Sequence, residues 1–438
     1  MSDYVMPMPS TDPAINTAAF VALRTRVAAD GSGWISFPSG DYTFQLIGGS
    51  GPNQTYALEL PPQRFAVVGA GHGATRLRLA AGSPTWARVI GTNGSVDGRI
   101  AHLTVDGNKA AVSVSEQSHG IFLSSTERLT IENLAVYATH GDGIYWHNYA
   151  RRNVIRGVHL DDIGRVGIHA QTFESCAIRE SFFTGAMGQG CIKTEQDNPG
   201  TIANGLTIAN NHFDGDGSYA DNFAILISGF DSANRALKII VEGNQIKRFR
   251  LAIGLGIWST GWNISGNIID SCHSGIVETN YAVTYGYDSH EDISIAGNDL
   301  LYMIDAGYEE WAISLSNARV ASILGNTASV RTRGLRLRHC TDIDTARNNI
   351  MIREADGMGV MFYRSPDVSS LGDSVRTAGG VAYGAYIADD ATYIGTPAQI
   401  LDFTVRGHCQ YGIRRDLINP TLVTVRDLIA ADAVYPLY

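Results

Sequence analysis

The sequence predicts an all-β protein: a single right-handed parallel β-helix, a solenoid with about 23–33 residues per coil, closed at its start by an amphipathic helix. Three observations lead there. A short motif, apolar-x-Gly/Asn-Asn, keeps returning at a basal step of 23 or 24 residues, lengthened by occasional insertions. A second short β-branched segment, opened by a small residue, falls between its copies. The 438 residues also include 48 glycines and only 17% charged side chains against 44% hydrophobic ones, which suits tight turns and uncharged polar edges.

The elements follow in order. Asp12-Pro13 supplies an N-cap and a first helical turn, and the run from Ala14 to Asp30 sets Ala19, Phe20, Leu23 and Val27 on one side before Gly31. A bare end of a solenoid would expose core and unpaired backbone, so this helix reads as a lid. Residues 1–32 form the capping segment and residues 33–438 one continuous β-helix, whose first coil begins at Gly33-Trp-Ile-Ser-Phe-Pro-Ser-Gly-Asp-Tyr42. The asparagine motif recurs with fourth positions at Asn108, Asn211, Asn244, Asn267, Asn298, Asn326 and Asn349, with degenerate copies ending at Leu134, Val158 and Ser181. Asparagine tolerates the left-handed bend and can bond to its own copies along a stack. The second series begins at Gly120, Gly143, Gly167, Cys191, Ala224, Ala252, Gly275, Ala312, Gly334 and Gly359. Strands this short, with no helix between them, bury an apolar side only by stacking on one another.

Several function classes are excluded. A net charge of −10 argues against general binding to nucleic acid or an anionic membrane. No window of eighteen apolar residues is present, and the start has neither the basic nor the apolar part of a secretory signal. The five cysteines, Cys176, Cys191, Cys272, Cys340 and Cys409, are scattered without Cys-x-x-Cys spacing and read as buried free thiols.

The helix, the Phe-Pro-x-Gly-Asp-Tyr turn, Val67-Val-Gly-Ala-Gly-His-Gly73 and Leu103-Thr-Val-Asp-Gly-Asn108 resemble the opening of the pectate-lyase-like superfamily. That superfamily contains right-handed β-helix polysaccharide lyases, mannuronan epimerases and phage tailspike depolymerases. The resemblance implies an enzyme acting on a polysaccharide or oligosaccharide, extracellular or virion-associated, with a homotrimer as one expected assembly.

Side chains alternate along a strand, so the third and fifth residues of the second series face outward and align into columns. Three consecutive coils then present Tyr145, His147, His169, Gln171, Lys193 and Glu195 as one patch of about 10–12 Å. Gly254 and Gly256 suggest a bare floor. The insertions beginning at His212, Asn280 and Ile304 carry Tyr219, Tyr285, Tyr287, Tyr308 and, at the end of the last, Trp311, rings suited to stacking on sugars. Arg336 and Arg338 continue the outward columns as substrate contacts.

The chemistry expected first is β-elimination, or C5 epimerisation, on a uronate polymer. Lys193 neutralises the carboxylate, His169 or His147 takes the proton, Tyr145 protonates the leaving oxygen, Gln171 bonds the carboxylate and Glu195 keeps Lys193 charged. The epimerase motif Tyr-Gly-Phe-Asp-Pro-His-Glu has two partial matches: Tyr285-Gly-Tyr-Asp-Ser-His-Glu291, which adds Asp288 and His290 as candidates, and Gly141-Asp-Gly-Ile-Tyr-Trp-His-Asn148. The alternative is tailspike-type hydrolysis by paired carboxyls, Glu195 with Asp142, Asp197 or Asp221. The polygalacturonase pattern is not met, since Cys191-Ile-Lys193 half matches Arg-Ile-Lys and Asn-Thr-Asp is missing. A third reading is a non-enzymatic adhesin or carbohydrate-binding shaft. No metal is expected at the patch, and a Ca²⁺ ion has a place only at Asp214-Gly-Asp216, where further ligands are lacking.

Overall fold

Short segments, most of three to eight residues and broken by glycine, asparagine or a small residue, seldom pair with their sequence neighbours, Ile47–Gly48 with Thr55–Leu60 being an antiparallel exception. They pair instead with the equivalent segment one coil away. In the computed structural model each coil carries three such strands, all parallel to their copies, and the result is a right-handed parallel β-helix. The structure describes the chain apart from residues 1, 49–54, 63, 197–199, 201, 219–221, 280–289, 305–309, 366, 379–380, 389–397, 417–422, 427–428 and 438. Tyr219, Asp221, Tyr285 and Asp288 fall outside the described residues, as do Asp197, Tyr287 and Tyr308. The backbone divides into two units, Met1–Asp216 and Gly217–Tyr438.

In the first unit the helix Pro13–Asp30 forms as expected. The Asp12 side chain accepts from the Ala14 amide, and Gly31 closes the helix in the left-handed region at φ 70°. Phe20 and Val27 are fully buried, and Phe20 meets Phe37 and Phe44 at centroid distances of 6.4 and 6.3 Å. The helix thus seals the first coil with an aromatic plug. A strand not expected from the sequence, Ser2–Val5, pairs in parallel with Ser32–Phe37 and covers its edge. Below the lid, Ile90, Ile121, Ile144, Ile168 and Ile192 stand in one register column and are all fully buried.

The second unit repeats the device: Ile225, Ile253, Ile276, Ile313, Leu335 and Val360 form one buried column. At a corner of the coil runs a ladder of buried side chains. The amide nitrogen of Asn244 donates to Asn267 Oδ1, Asn267 to Asn298, Asn298 to Asn326, Asn326 to Asn348, and Asn348 to Asp373, each at 2.9 Å. Every amide oxygen also accepts the backbone N–H of the preceding member.

Two of the expected ladder positions are corrected. The member after Asn326 is Asn348, because Ile323 pairs with Thr345 and Leu324 with Ala346; Asn349 begins the next strand and is exposed. Thr345 takes the apolar position, its hydroxyl donating to Asp373 Oδ2 at 2.5 Å. Asn108 stands after the strand Thr104–Asp106, in the left-handed region, so Leu103 and not Asn108 is equivalent to Leu134. Cys176, Cys191, Cys272 and Cys340 are buried free thiols, and burial pushes Cys176, Cys272 and Cys340 up to about 12. The Cys409 side chain lies outside the described residues. Among the described residues no helix is long and apolar enough to cross a membrane.

The ladder makes a stability prediction. Asn348→Ala leaves buried donors and acceptors unmatched and costs about 2–4 kcal/mol, read as a lower urea midpoint and faster exchange of the Asn326 amide. Asn349→Ala stays within about 0.5 kcal/mol. Equal effects would show that the register assignment is wrong.

Candidate functional site

The outward positions of the first unit carry the candidate patch. Strands Ala87–Asn93, Ile121–Glu127, Ile144–Arg151, Val166–Ala170 and Gly190–Thr194 stack in register, so Gly91, Phe122, Tyr145, His169 and Lys193 form one column. Ser124 and His147 form the next. Gln171 and Glu195 follow at the ends of their strands. The sequence alternation therefore places Tyr145, His169 and Lys193 on successive rungs, about 4.8 Å apart.

What the alternation does not convey is how deeply the upper part of the column is covered. Tyr145 is only 6% exposed and His169 2%. The Tyr145 ring stacks on His169 at 4.7 Å and 20°, and meets Phe122 at 5.5 Å, His119 at 5.0 Å and His147 at 5.6 Å. Tyr56 joins Phe122 and Tyr145 in one cluster. Its ring lies where a side chain at Gly91 would stand, with atoms 2.0 Å from the Cβ site. Arg88 lies over the Phe122 ring at 3.8 Å. The open part of the patch is Lys193, His147 and Glu195, with the Glu195 side chain 48% exposed and bonded to Lys193 Nζ at 2.6 Å. Burial pushes the Glu195 carboxyl up, but the hydrogen bond and charge of Lys193 outweigh it and hold the carboxyl below its usual range.

Beneath this column lies a charge centre that the sequence reading places wrongly. Asp142, expected as a substrate contact, is fully buried. Its Oδ1 accepts from the Val166 amide at 3.1 Å, and its Oδ2 lies 3.3 Å from His169 Nδ1, 3.4 Å from His119 Nδ1 and 3.6 Å from Arg165 Nη1. Burial alone would raise this carboxyl. The His169 hydrogen bond, the largest lowering cause, and the positive charge of Arg165 more than compensate, so Asp142 is an anion.

The tautomers follow from the partners. His119 Nδ1 accepts the Asp142 backbone N–H at 3.0 Å, so it carries no proton. Burial pushes the His119 imidazole down to about 3 against the upward pull of Asp142, which keeps the ring neutral. His169 Nδ1 faces a carboxylate and donates a hydrogen bond to it, which leaves the lone pair on Nε2. That Nε2 is buried and has no hydrogen-bond partner among the described residues. An imidazole held by a carboxylate, with an unused basic nitrogen, is the arrangement of an oriented general base.

The remaining candidates are placed elsewhere. Gln171 is buried and its Oε1 accepts from the Asn148 amide at 3.2 Å, so it holds a bend. His290 is 1% exposed in the second unit, its Nδ1 facing the Ser259 carbonyl at 2.8 Å and its Nε2 3.5 Å from Glu278; it is a core histidine. Arg336 is buried, with Nε on Ser314 Oγ at 2.8 Å, while Arg338 is half-buried. Gly254 is not a bare floor, since Leu226 and Leu251 stand 2.8 and 2.9 Å from its Cβ site, and Ser228 similarly covers Gly256. Trp311 is 1% exposed beneath Arg333 and Arg336 and offers no sugar platform.

His119 and Arg165 escaped the sequence reading because they sit in corners, where strand alternation does not apply, and Arg88 because its strand Ala87–Asn93 precedes the series of small-residue segments that was read. A signal was present nonetheless: His119-Gly120 and Asp142-Gly143 are equivalent positions of consecutive coils, each just before the recurring glycine.

The buried neutral imidazole has a pH consequence. Unfolded histidine titrates near pH 6.5, whereas folded His119 resists protonation down to about 3. Its contribution is therefore complete above about pH 6.5 and is lost as pH falls, at about 1 kcal/mol per pH unit. Asp142, with its folded value lowered, adds to the loss below about pH 4. Urea midpoints measured between pH 7 and pH 4 should fall less steeply in His119→Asn; identical slopes would refute a neutral buried His119.

No family model matches the sequence, and no curated protein does. Solved structures do resemble it. The tailspike of E. coli bacteriophage HK620 is 13% identical, with a TM-score of 0.55 over 85% of this chain and 73% of its own. PfbA, a surface adhesin of Streptococcus pneumoniae, is 12% identical, with a TM-score of 0.53 over 88% and 93%. The A-module of the Azotobacter vinelandii mannuronan C-5 epimerase AlgE6 is 14% identical, covers 98% and 99%, and has a TM-score of 0.48. At these identities the likeness extends to the right-handed parallel β-helix and no further.

Proposed function

We propose that this chain is a polysaccharide-acting enzyme whose first unit abstracts the proton beside a uronate carboxylate and cleaves an acidic polymer by β-elimination. The observation that carries the reading is the Asp142–His169 pair one rung from Lys193. Lys193 meets the substrate carboxylate, which makes the adjacent C–H acidic. Nε2 of His169 takes that proton, with Asp142 holding the ring and favouring the imidazolium that forms. Tyr145, stacked on His169, passes its phenolic proton to the leaving oxygen. Tyr145 and His169 Nε2 are covered in this structure, so the reaction requires the side chains over them to move aside when substrate binds. Epimerisation shares the first step and differs in returning a proton to the opposite face.

Hydrolysis is supported less well. It needs one carboxyl protonated as the acid and a second within about 5–9.5 Å. Asp142 and Glu195 are both held as anions, and Asp142 is sealed from solvent. Neither is suited to donate a proton.

Digestion of a panel of acidic and neutral polysaccharides tests the proposal. The expected result is new reducing ends together with ultraviolet absorbance from an unsaturated uronate, on acidic polymers only. His169→Gln should lower this rate by about 10³-fold with little change in KM, and Lys193→Ala should raise KM as well. Reducing ends without absorbance would make the enzyme a hydrolase, and altered uronate composition without scission an epimerase.

A further inference from the structure

The outward face of the second unit carries a different set of side chains. Strands Arg333–Arg338, Met358–Tyr363, Val381–Ala388 and Thr404–Asp416 are in parallel register, which aligns Arg336, Met361, Tyr386 and Arg414 in one column. The adjoining column reads Arg338, Tyr363, Ala388 and Asp416. Acidic residues outnumber basic ones over the whole chain, 43 to 33. Here Arg336 is buried, and the half-buried Arg338, Arg364 and Arg414 stand beside one carboxylate of these columns, which is already engaged. Asp416 accepts from Arg414 at 3.0 and 3.1 Å and from the Tyr386 hydroxyl at 3.0 Å.

The tyrosines are held in place. Arg414 Nη1 donates to the Tyr383 hydroxyl at 2.8 Å, and its guanidinium lies 5.3–5.9 Å from the rings of Tyr383, Tyr386 and Tyr411. Tyr383 and Tyr411 are register partners, stacked at 5.6 Å and 13°. Tyr363 is flanked by Arg364 at 5.0 Å and Arg338 at 5.9 Å, and all three are half-buried. Arg338 has no ion-pair partner among the described residues. Burial and the charge of Asp416 push the Tyr386 phenol up to about 12, which keeps it a neutral donor.

From this arrangement we infer that the four rungs from Arg333 to Asp416 form a second carbohydrate site, which binds an anionic glycan segment without reacting on it. Tyrosine rings held on successive rungs and flanked by guanidinium groups present their remaining ring surface to the C–H side of sugar rings. Arginine forks match carboxylate or sulfate groups in bidentate fashion. Four rungs span about 14 Å, the length of roughly three sugar residues. No acid/base pair like Asp142–His169 stands in these columns, so the face holds polymer and leaves the bonds intact. The inference stands apart from the elimination chemistry of the first unit.

The test uses the full chain, a 1,4-linked hexauronate, a neutral 1,4-linked glucose hexamer and a DNA hexanucleotide. Binding is followed by calorimetry and by amide hydrogen exchange. The hexauronate should protect Met358–Tyr363 and Val381–Ala388 in the parent protein and equally in Lys193→Ala, which disables the first-unit site. Tyr363→Ala with Tyr386→Ala should weaken that binding at least tenfold, and Arg364→Ala should weaken it while lowering its salt dependence. Protection confined to the strands of the first unit, or equal binding of the glucose hexamer or the hexanucleotide, would overturn the inference. If the hexauronate protects the second unit of a protein that cleaves nothing, this site stands and the lyase reading fails.

Discussion

Parallel in-register stacking is the constraint on which everything else in the molecule depends. A parallel strand of four to six residues has little stability alone. It becomes stable when its apolar residues enter columns already set by the coil before, as Ile121 does between Ile90 and Ile144. A slip of one residue would turn every isoleucine outward. In the second unit the asparagine ladder guards against that slip, because each buried amide must meet both the side chain and the backbone N–H of its neighbour. An amide displaced by one rung position would lose both bonds in a dry interior, which costs far more than the bonds contribute when made. Polar side chains thus specify what apolar ones stabilise.

The first-unit site uses the same economy of buried polar groups for charge. A carboxylate with no exposure is tolerable only if its surroundings compensate for lost water. Around Asp142 that is done by one backbone amide, one imidazole proton and a guanidinium at 3.6 Å. His119 completes the enclosure without adding a positive charge, since its facing nitrogen accepts a hydrogen bond from the Asp142 backbone N–H and carries no proton. The outcome is directional. Asp142 has one histidine N–H to accept a hydrogen bond from, that of His169, and the free lone pair is thereby fixed on the opposite nitrogen.

The fold was readable in the sequence because its period is short and its core residues are β-branched. The outward column Phe122, Tyr145, His169, Lys193 could be named rung by rung for the same reason. Two kinds of information were not carried by that period. Where two asparagines adjoin, as at Asn348 and Asn349, the motif fits either, and only the pairing of Thr345 with Ile323 decides. Burial on the outer face depends on residues from corners and from other coils. Nothing in the spacing says that Tyr56 would lie over Gly91, or that Asp142 would turn beneath His169 and away from solvent.

The columns proposed as sites in both units lie two and four residues after a recurring small residue, and packing explains the coincidence. A Cβ at Gly143 would stand 2.6 Å from the Gly167 carbonyl oxygen, and one at Gly359 2.5 Å from that of Gly384. The small residue lets successive coils close up at the strand entry. Residues two and four places later then inherit a fixed height and a fixed lateral position. A loop could bring His169 beside Lys193 transiently, but a glycine-seated rung holds them one spacing apart at no further entropic cost. The recurring glycine, a packing necessity of the corner, is thereby also what fixes the height and lateral position of the outward side chains on which the proposed proton transfer and glycan binding would depend.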